Sequence, residues 1–448
     1  MKRAAVREVR SVLEGLVVPG GAFVESCCLR LTWRGTDMAD EVRTTQCCVV
    51  GGGPAGMMLG LLLARAGVEV TVLEKHADFL RDFRGDTIHP STLELMHELG
   101  WLDELLALPH QKAPVLRLQR GAHDVIVGDF SHLPTRARYI AFMPQWDLLD
   151  FLARKAAEYP GFHLRRCAEV TEVLREKGCV VGVQARTPEG SLEVRASLVV
   201  AADGRNSIMR QRAGLEVEVL GAPMDVLWFR VSRKPEDPED PMGRFEQGQI
   251  FVLINRGDSW QCGRVIAKGS FDALREAGLV SFREDFARLA PFLADRAHEL
   301  ATWDDVKLLT VRVDRLRTWY QAGLLCIGDA AHAMSPVGGV GINLAVQDAV
   351  AAANILAGPL LARHVTPMDL RRVQERREWP TRVTQRAQVL IQNRVLGPAL
   401  RSPAASTALP LPLWLVQHVP FLRRIPARLV GMGVRPEHVR TPAAPPRA

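Results

Sequence analysis

The sequence lacks the features that mark several large classes of protein. Its eight cysteines include no C-x-x-C pair, and no nearby histidine completes a zinc site. The sequence contains no uninterrupted run of about 20 apolar residues, which a membrane-spanning helix would require. The chain also has no zinc-finger pattern and no aromatic RNA-binding signature. We therefore expect a soluble protein that binds neither a metal ion nor nucleic acid.

The composition is that of an ordinary globular protein with a small excess of positive charge. Of the 448 residues, 47% are hydrophobic and 24% are charged, close to the usual values for a folded soluble chain. The 57 basic residues are spread along the sequence and are balanced by 50 acidic ones, so the net charge is only +7. Several cysteines lie in apolar runs, where they act as small hydrophobic residues. We expect a cytoplasmic monomer or homodimer.

The first 43 residues are predicted to be an N-terminal extension. Their basic start resembles a targeting segment, but Glu14 interrupts the apolar stretch and makes it a poor secretory signal. Met38 lies only nine residues before Cys47, close to the first predicted strand, and is an alternative start.

A strand, a glycine turn, a helix and a second strand follow one another from Thr45, in the order of a βαβ unit. The turn at residues 51–56 reads GGGPAG, a G-x-G-x-x-G pattern. Its glycines allow a tight turn, approach of the backbone to a pyrophosphate and close helix packing, while the helix N-terminus attracts the anion. Glu74 ends the second strand, where an acid can accept ribose hydroxyls. The predicted dinucleotide contacts are Gly51, Gly53, Pro54, Ala55, Gly56, Glu74 and Lys75.

Two further segments follow in a recognisable order. The first, LVVAADGRNSIMR, places Asp203 and Gly204 after a hydrophobic strand. The second, GLLCIGDAAHAMSPVGGVGINLAVQDA, contains Asp329 and is the most specific stretch of the chain. Together with the glycine turn, these segments resemble the FAD-dependent aromatic hydroxylases, the single-component class A flavoprotein monooxygenases that include p-hydroxybenzoate hydroxylase. The resemblance covers residues 45–361.

The resemblance implies roles for individual residues. Asp203 and Gly204 would lie near the FAD pyrophosphate, and Asp329 would accept a hydrogen bond from the ribityl chain. Residues 336–341 would run beside the flavin ring, with the backbone of Pro336 and Gly341 at the catalytic position. A helix N-terminus there would stabilise the negative charge of reduced flavin. The remaining cofactor contacts implied by the family are Ile342 and Asn343 at that helix start, Arg84, and Gln145.

The implied fold is α/β, with a Rossmann-like FAD-binding domain of the glutathione-reductase-like type that is discontinuous in sequence. An inserted β-sheet domain would bind the substrate, and a helical region would end the chain. The predicted boundaries are 44–215 and 321–365 for the two parts of the FAD-binding domain, 216–320 for the substrate domain, and 366–448 for the C-terminal region.

The implied function is hydroxylation of an aromatic or polycyclic small molecule with FAD, NADH or NADPH, and O2, through a flavin C4a-hydroperoxide. Two alternatives remain open: an FAD-dependent reductase or dehydrogenase of an apolar, isoprenoid-like substrate, and a non-catalytic flavin-binding or peripheral membrane protein. His332 is predicted to be a packing or hydrogen-bonding residue rather than a catalytic base.

The substrate region departs from the simplest hydroxylases. The chain has three tyrosines, and none lies in the strands at residues 226–267, where hydroxybenzoate hydroxylases place a substrate-activating tyrosine. These strands offer other large side chains for a pocket that would suit a polycyclic substrate. They are Trp228, Phe229, Phe251, Leu253 and Trp260.

The C-terminal stretch LPLPLWLVQHVPFLRRIPARLVGMGV combines apolar residues with Arg423, Arg424 and Arg428. Such a segment can lie on an anionic membrane surface. We favour packing across the flavin domain over this peripheral location.

Overall fold

A computed structural model of the chain describes residues 41–80, 86–120, 123–239, 242–246, 249–397, 400 and 411–445. These residues all belong to one compact unit. The first strand begins at Glu41, ahead of the boundary predicted at residue 44, because Glu41, Val42 and Arg43 continue the ladder with the neighbouring strand. The rest of the predicted extension lies outside the described residues.

The described strands, in chain order, are β1 Glu41–Val50, β2 Val70–Leu73, β3 Thr87–Ile88, β4 Gln111–Ala113, β5 Val115–Arg120, β6 His123–Asp129, β7 Ile140–Phe142, β8 Phe162–Arg165, β9 Glu169–Glu176, β10 Cys179–Thr187, β11 Gly190–Ala201, β12 Val217–Val219, β13 Met224–Ser232, β14 Met242–Glu246, β15 Gln249–Asn255, β16 Ser259–Ala267, β17 Lys307–Leu309, β18 Asp314–Leu316, β19 Tyr320–Gln321, β20 Leu324–Cys326 and β21 His332–Ala333.

The described α-helices are α1 Pro54–Arg65, α2 Pro90–Glu98, α3 Leu102–Leu106, α4 Gln145–Ala157, α5 Ile208–Arg212, α6 Phe271–Ala277, α7 Leu279–Leu289, α8 Gly341–Leu361, α9 Pro367–Ile391, α10 Leu411–His418 and α11 Arg424–Gly431. Short 3₁₀ turns lie at Phe130–His132, Pro291–Glu299, Trp303–Asp305, Gly328–Ala330, Val337–Gly339 and Pro420–Arg423, and a π-helical turn at Gln392–Leu396 extends α9.

The first sheet contains five parallel strands in the order β20-β11-β1-β2-β8. Helix α1 packs against α4 and α8, and its side chains from Ala55 to Ala64 are buried almost throughout. β20 follows the strands of the second sheet in sequence but pairs with β11, so the chain leaves the first sheet and later returns to it. This path agrees with the predicted discontinuous α/β fold, while the exact domain boundaries stay predictions.

The second sheet has seven strands in the order β17-β13-β16-β15-β14-β5-β6. Two of them, β5 and β6, come from the predicted first part of the FAD-binding domain and join the sheet through the parallel pairing of β14 with β5. The sheet therefore draws on a longer part of the chain than the predicted substrate domain. Helix α7 and the 3₁₀ turn after it cover one face with a cluster of aromatic and aliphatic side chains.

Helix α8 is the core helix of the molecule. Together with the turn before it, α8 is long and apolar enough to cross a membrane, but 72% of its 18 most apolar consecutive residues are buried inside the fold. α8 is therefore packed inside the fold along most of its length.

The buried cysteines behave as packing residues. Cys47 and Cys48 lie inside β1, Cys326 ends β20, and all three are fully buried. Burial raises the pKa of the Cys48 thiol to about 12, so it stays protonated at neutral pH. Within the described ranges, no three His, Cys, Asp or Glu side chains come together as a metal site.

Candidate cofactor and active site

The three predicted motifs meet at one edge of the first sheet. Their strands, β1, β11 and β20, are parallel neighbours and end together. The Ala202 N–H donates to the Val50 carbonyl at 2.8 Å, and the Ile327 N–H donates to the Ala201 carbonyl at 3.0 Å. Because the carboxyl ends of parallel strands form the ligand crevice of such sheets, the loops that follow these strands lie where a dinucleotide binds.

The glycines of the first turn face different surroundings. Gly51 has a φ of +105°, and a Cβ there would lie 2.4 Å from the Ala202 carbonyl oxygen. A Cβ on Gly56 would lie 1.9 Å from the Gly51 oxygen, whereas one on Gly53 would meet nothing within 4 Å. Gly51 and Gly56 are therefore needed for packing, and Gly53 borders open space at the helix start. Pro54 begins α1, which has no side-chain cap, and Ala55 lies beside Gly328.

Glu74 follows β2 directly and fixes the same turn. Its Oε2 accepts the Gly52 N–H at 2.9 Å, and its Oε1 accepts the His76 N–H at 3.0 Å. Each carboxylate oxygen can accept more than one hydrogen bond, so this position fits both the turn and a ribose. Lys75 next to it is exposed.

Asp203 and Gly204 form the second loop, and Gly204 has a φ of +83°. The Asp203 Oδ2 accepts the Met209 N–H at 3.1 Å. Its Oδ1 is buried without a hydrogen-bond partner of good geometry among the described residues. Burial raises the pKa of the Asp203 carboxyl, although hydrogen bonds from Ser207 and Met209 oppose the shift. A buried acceptor of this kind fits a cofactor hydroxyl or an ordered water.

Asp329 lies in the 3₁₀ turn after β20, next to the second loop. The Arg205 guanidinium approaches its Oδ2 at 3.6 Å, and both side chains are about a third exposed or less. Such a contact is weak in stability terms. Asp329 thus lies at the same sheet edge as the second loop, and its contact with the ribityl chain stays a prediction.

Side-chain contacts from Thr87 and His89 fix the position of the predicted flavin-ring loop, residues 336–341. Gly338 and Gly339 have φ values of +80° and +63°. The Thr87 hydroxyl donates to the Gly339 carbonyl at 2.8 Å, and the His89 Nε2 lies 3.0 Å from the same oxygen. A Cβ on Gly341 would meet nothing within 4 Å. Pro336, which precedes the turn, has ordinary helical dihedrals.

Helix α8 begins at Gly341 without a side-chain cap. Ile342 is buried. The Asn343 side chain points into the protein, where its Oδ1 accepts the hydroxyls of Ser91 and Thr92 at 2.7 Å each. Asn343 therefore anchors the helix start through its side-chain oxygen, and its cofactor contact stays a prediction. An uncapped, glycine-opened helix start suits the negatively charged side of a reduced flavin.

These features fit FAD as one set. An open glycine cradle at Gly53, a buried acceptor at Asp203 and the uncapped starts of α1 and α8 lie on loops of the same sheet edge. A family model described as "FAD binding domain" matches residues 44–387. The chain is a member of the FAD-dependent aromatic hydroxylase family. The fold class and the FAD cofactor predicted from the sequence are thereby confirmed.

Individual family members show how broad the likeness is. The 6-methylpretetramide 4-monooxygenase of Streptomyces rimosus is 33% identical over 387 residues, which cover 86% of this chain and 92% of that protein. The 12-dehydrotetracycline 5-monooxygenase/anhydrotetracycline 6-monooxygenase of Streptomyces rimosus subsp. rimosus is 30% identical over 67% of this chain and 60% of its own length. The solved anhydrotetracycline hydroxylase OxyS of Streptomyces rimosus superposes with a TM-score of 0.69 at 24% identity, over 88% of this chain and 77% of that one.

The structure defines less about two further residues that the sequence predicts to contact the cofactor. Arg84 lies outside the described residues. Gln145 is the first residue of α4, and its backbone hydrogen-bonds to the Asp86 carboxylate. This hydrogen bond comes from the main chain of Gln145 and holds the start of α4 against Asp86. The predicted cofactor contact of Gln145 stays a prediction.

Asp86 was not predicted from the sequence; it links the segment just before β3 to the second sheet. Its carboxylate is 6% exposed, pairs with the Arg256 guanidinium, and accepts the Gln261 amide at 3.0 Å. Burial raises the pKa of Asp86 to about 6, although Arg256 and Gln261 partly oppose this shift. The available signal was an acid two residues after Arg84, directly before the short strand β3.

A second missed feature is a buried ionic network behind α8. The Asp348 carboxylate accepts the Gly328 N–H at 3.0 Å and the Arg377 Nε at 2.9 Å, and lies 2.5 Å from His332 Nε2. Arg377 also pairs with Glu437 at 3.2 Å. His332 is 1% exposed, so it is the hydrogen-bonded packing residue that the sequence analysis expected.

The second sheet divides the five predicted pocket residues between its two faces. The side chains that pack beneath α7, against Phe282 and Phe286, include four of the five predicted pocket residues: Phe229, Phe251, Leu253 and Trp260. Successive residues of a strand point to opposite faces, so Trp228 lies on the other face. There it packs against the cluster that Val337 of the flavin-ring loop also contacts. Only Trp228 of the predicted set therefore faces the flavin side.

Proposed function

We propose that this flavoprotein hydroxylates a fused polycyclic aromatic substrate, with NADH or NADPH as electron donor and O2 as oxidant. The observation that carries the proposal is a flat, apolar row on the flavin side of the second sheet. The named relatives that act on tetracycline-type intermediates support the same substrate class.

The row consists of one large aromatic residue beside positions with little or no side chain. Trp228 is paired with Gly263, Gly263 with Val252, and Val252 with Gly243 across four strands. A Cβ on Gly263 would lie 2.9 Å from the Trp228 ring, so the indole lies over that glycine. An extended planar substrate can stack on such a surface, whereas a single ring would use only part of it.

The row adjoins the flavin-ring loop. Trp228 and Val337 pack against one apolar cluster that includes Val226, Ile250 and Leu396. Apolar walls on this side exclude water from the reacting centre. Bound FAD supplies the transfer of electrons to O2 and of one oxygen atom to the substrate, while the chain positions both partners.

Arg230 gives this face a polar end. It lies two residues beyond Trp228 on the same side of β13, is exposed, and pairs in the ladder with Gln261. A guanidinium at this position can bind a phenolate or enolate oxygen of the substrate. This assignment gives the protein a means of orienting a phenol without a tyrosine in these strands.

The test compares a tetracyclic polyphenol with a single-ring phenol. We expect the polycyclic compound to stimulate NAD(P)H oxidation and O2 consumption, and mass spectrometry to find one ¹⁸O atom in the product under ¹⁸O2. Turnover without O2 and without ¹⁸O in the product would identify a reductase or dehydrogenase instead. A purified protein that binds FAD but reduces it with neither nicotinamide cofactor would favour the non-catalytic alternative.

A further inference from the structure

The C-terminal part of the structure exposes a stripe of large apolar side chains. Phe421, Ile425 and Leu429 are 64%, 53% and 51% exposed, and their spacing of four residues aligns them along one side of α11 and the turn before it. The preceding helix adds the exposed Leu411 and Trp414. Exposure of this extent is unusual for the closed surface of a soluble protein.

The opposite side of α11 is firmly packed. Ala427 is fully buried, and a Cβ on Gly431 would lie 2.8 Å from Leu133 and 3.1 Å from Phe130. Arg423 ties the two helices together by donating to the Val416 and Gln417 carbonyls. The helix is therefore anchored by one face, and its apolar stripe points away from the protein.

The charge of this region has one sign only. Residues 379–436 contain eight arginines and no aspartate, glutamate or lysine, which accounts for all of the excess positive charge of the chain. Arg424 and Arg428 are exposed beside the stripe, and the Arg424 guanidinium lies 5.2 Å from the centre of the Phe421 ring. We call this surface the C-terminal face; it consists of Phe421, Arg424, Ile425, Arg428 and Leu429.

We propose that the C-terminal face docks on an anionic lipid surface. Apolar side chains flanked by arginines are the combination that binds at the headgroup boundary, where burial of the stripe and attraction to acidic lipid act together. A second copy of the chain fits less well, because a two-fold contact through this face would oppose Arg424 and Arg428 to their own copies.

The side of α11 that packs on the protein lies next to the proposed active site. The Val430 carbonyl is 2.7 Å from His89 Nδ1, and a Cβ on Gly338 of the flavin-ring loop would lie 3.9 Å from Val430. Docking therefore sets the bilayer beside the substrate side of the flavin. This consequence rests on the proposed function: an apolar polycyclic substrate that partitions into lipid would reach the site from the membrane.

Flotation of the full-length, FAD-loaded protein with vesicles tests the docking independently of turnover. We expect the protein to float with phosphatidylglycerol-containing vesicles and not with pure phosphatidylcholine vesicles, and high salt to weaken binding. The triple variant Phe421→Glu, Ile425→Glu, Leu429→Glu should reduce the partition coefficient at least tenfold. The variant Arg424→Ser, Arg428→Ser should reduce it for the anionic vesicles as well.

The matched control is Val42→Glu, Val219→Glu, Val280→Glu. These valines are 60%, 76% and 64% exposed, so the control makes the same three substitutions, with the same charge change, on other surfaces. Equal loss of binding in both triple variants would show a general charge effect and overturn the proposal.

Two other results would also overturn the proposal. One is failure of the wild type to float. The other is a wild-type dimer, formed without vesicles, that only the Phe421 triple variant dissociates. NAD(P)H oxidation by both triple variants, measured with detergent-solubilised substrate, tests the proposed function separately from membrane docking.

Discussion

At the scale of single residues, Gly53 and Gly56 lie three positions apart in one turn but have different roles, the first in cofactor binding and the second in packing. A Cβ on Gly56 would collide with the Gly51 oxygen at 1.9 Å, so a larger residue there must move the backbone of the turn. A Cβ on Gly53 meets open space, so the protein without cofactor can accommodate it. The sequence pattern alone assigns both glycines to binding, and only the surroundings separate binding from folding.

Gly53→Val should therefore give a folded protein that lacks FAD, because the new side chain occupies the space that a pyrophosphate would take. Its far-UV circular dichroism should match the wild type, while flavin absorbance after purification is lost. Gly358→Ala is the control, since its Cβ also meets nothing within 4 Å but lies inside α8. That change should keep the yellow colour and leave stability equal or slightly higher. A fully yellow Gly53→Val protein would disprove the assigned cradle.

Asp86 gives stability a pH dependence of definite sign. Its pKa is raised to about 6 in the fold by burial, against an ordinary value of 3.8. Between these values the folded state holds a proton that the unfolded chain has lost, so stability falls as the pH rises through this window. Relative to Asp86→Asn, which has no such proton, the wild type should lose about 2 kcal/mol between pH 4 and pH 6.5. Urea unfolding of both proteins across this range measures the difference. Parallel profiles would show that Asp86 titrates normally.

At the scale of elements, the strands were easier to predict than their faces. The runs at residues 226–267 were correctly assigned to a second sheet, but the sequence did not say which of their five large side chains face the flavin. Alternation fixes which residues share a face, but it does not say which face the helix α7 covers. That choice depends on contacts with Phe282 and Phe286, which are distant in sequence.

The proposed stacking surface predicts different effects for two glycines of one row. Gly263→Ala should push the Trp228 ring off the strand, because the new Cβ would lie 2.9 Å from it. Gly243→Ala should be tolerated, since its nearest neighbour atom would lie 3.7 Å away. We expect the first variant to weaken the binding of a polycyclic phenol about tenfold with unchanged FAD content, and the second to bind as the wild type does. Fluorescence titration measures both affinities, and equal affinities in the two variants would remove Trp228 from the site.

At the scale of the whole molecule, contiguous motifs were predictable and long-range ionic contacts were not. The glycine turn, Asp203 and Asp329 were found because each follows a strand in a short, recognisable segment, and parallel strands bring their ends together. The network of His332, Asp348 and Arg377 gave no such signal, because its partners come from separate elements up to 45 residues apart in sequence. Glu437 lies still further along the chain.

The last segment of the chain fastens the helices over the first sheet. Glu437 pairs with Arg376 at 2.7 Å and with Arg377 at 3.2 Å, and its N–H bonds to Gln347 of α8. Further on, Ala444 donates to the Arg65 carbonyl of α1 at 2.7 Å. Because Arg377 is only 2% exposed, loss of its partner would leave part of a buried charge uncompensated.

Glu437→Ala should therefore lower the free energy of unfolding by about 3 kcal/mol, the usual cost of breaking a buried pair. Glu437→Gln, which keeps acceptors but not the charge, should fall between this variant and the wild type. His438→Ala is the control, because the pair of His438 with Glu98 is half exposed and its loss should cost less than about 1 kcal/mol. Melting followed by near-UV circular dichroism ranks the variants, and trypsin should cut the C-terminal segment of Glu437→Ala sooner than that of the control. Equal melting temperatures for Glu437→Ala and His438→Ala would mean that Asp348 alone compensates the charge of Arg377. In that case the C-terminal segment would not be what holds α8 and α9 against the flavin side of the sheet.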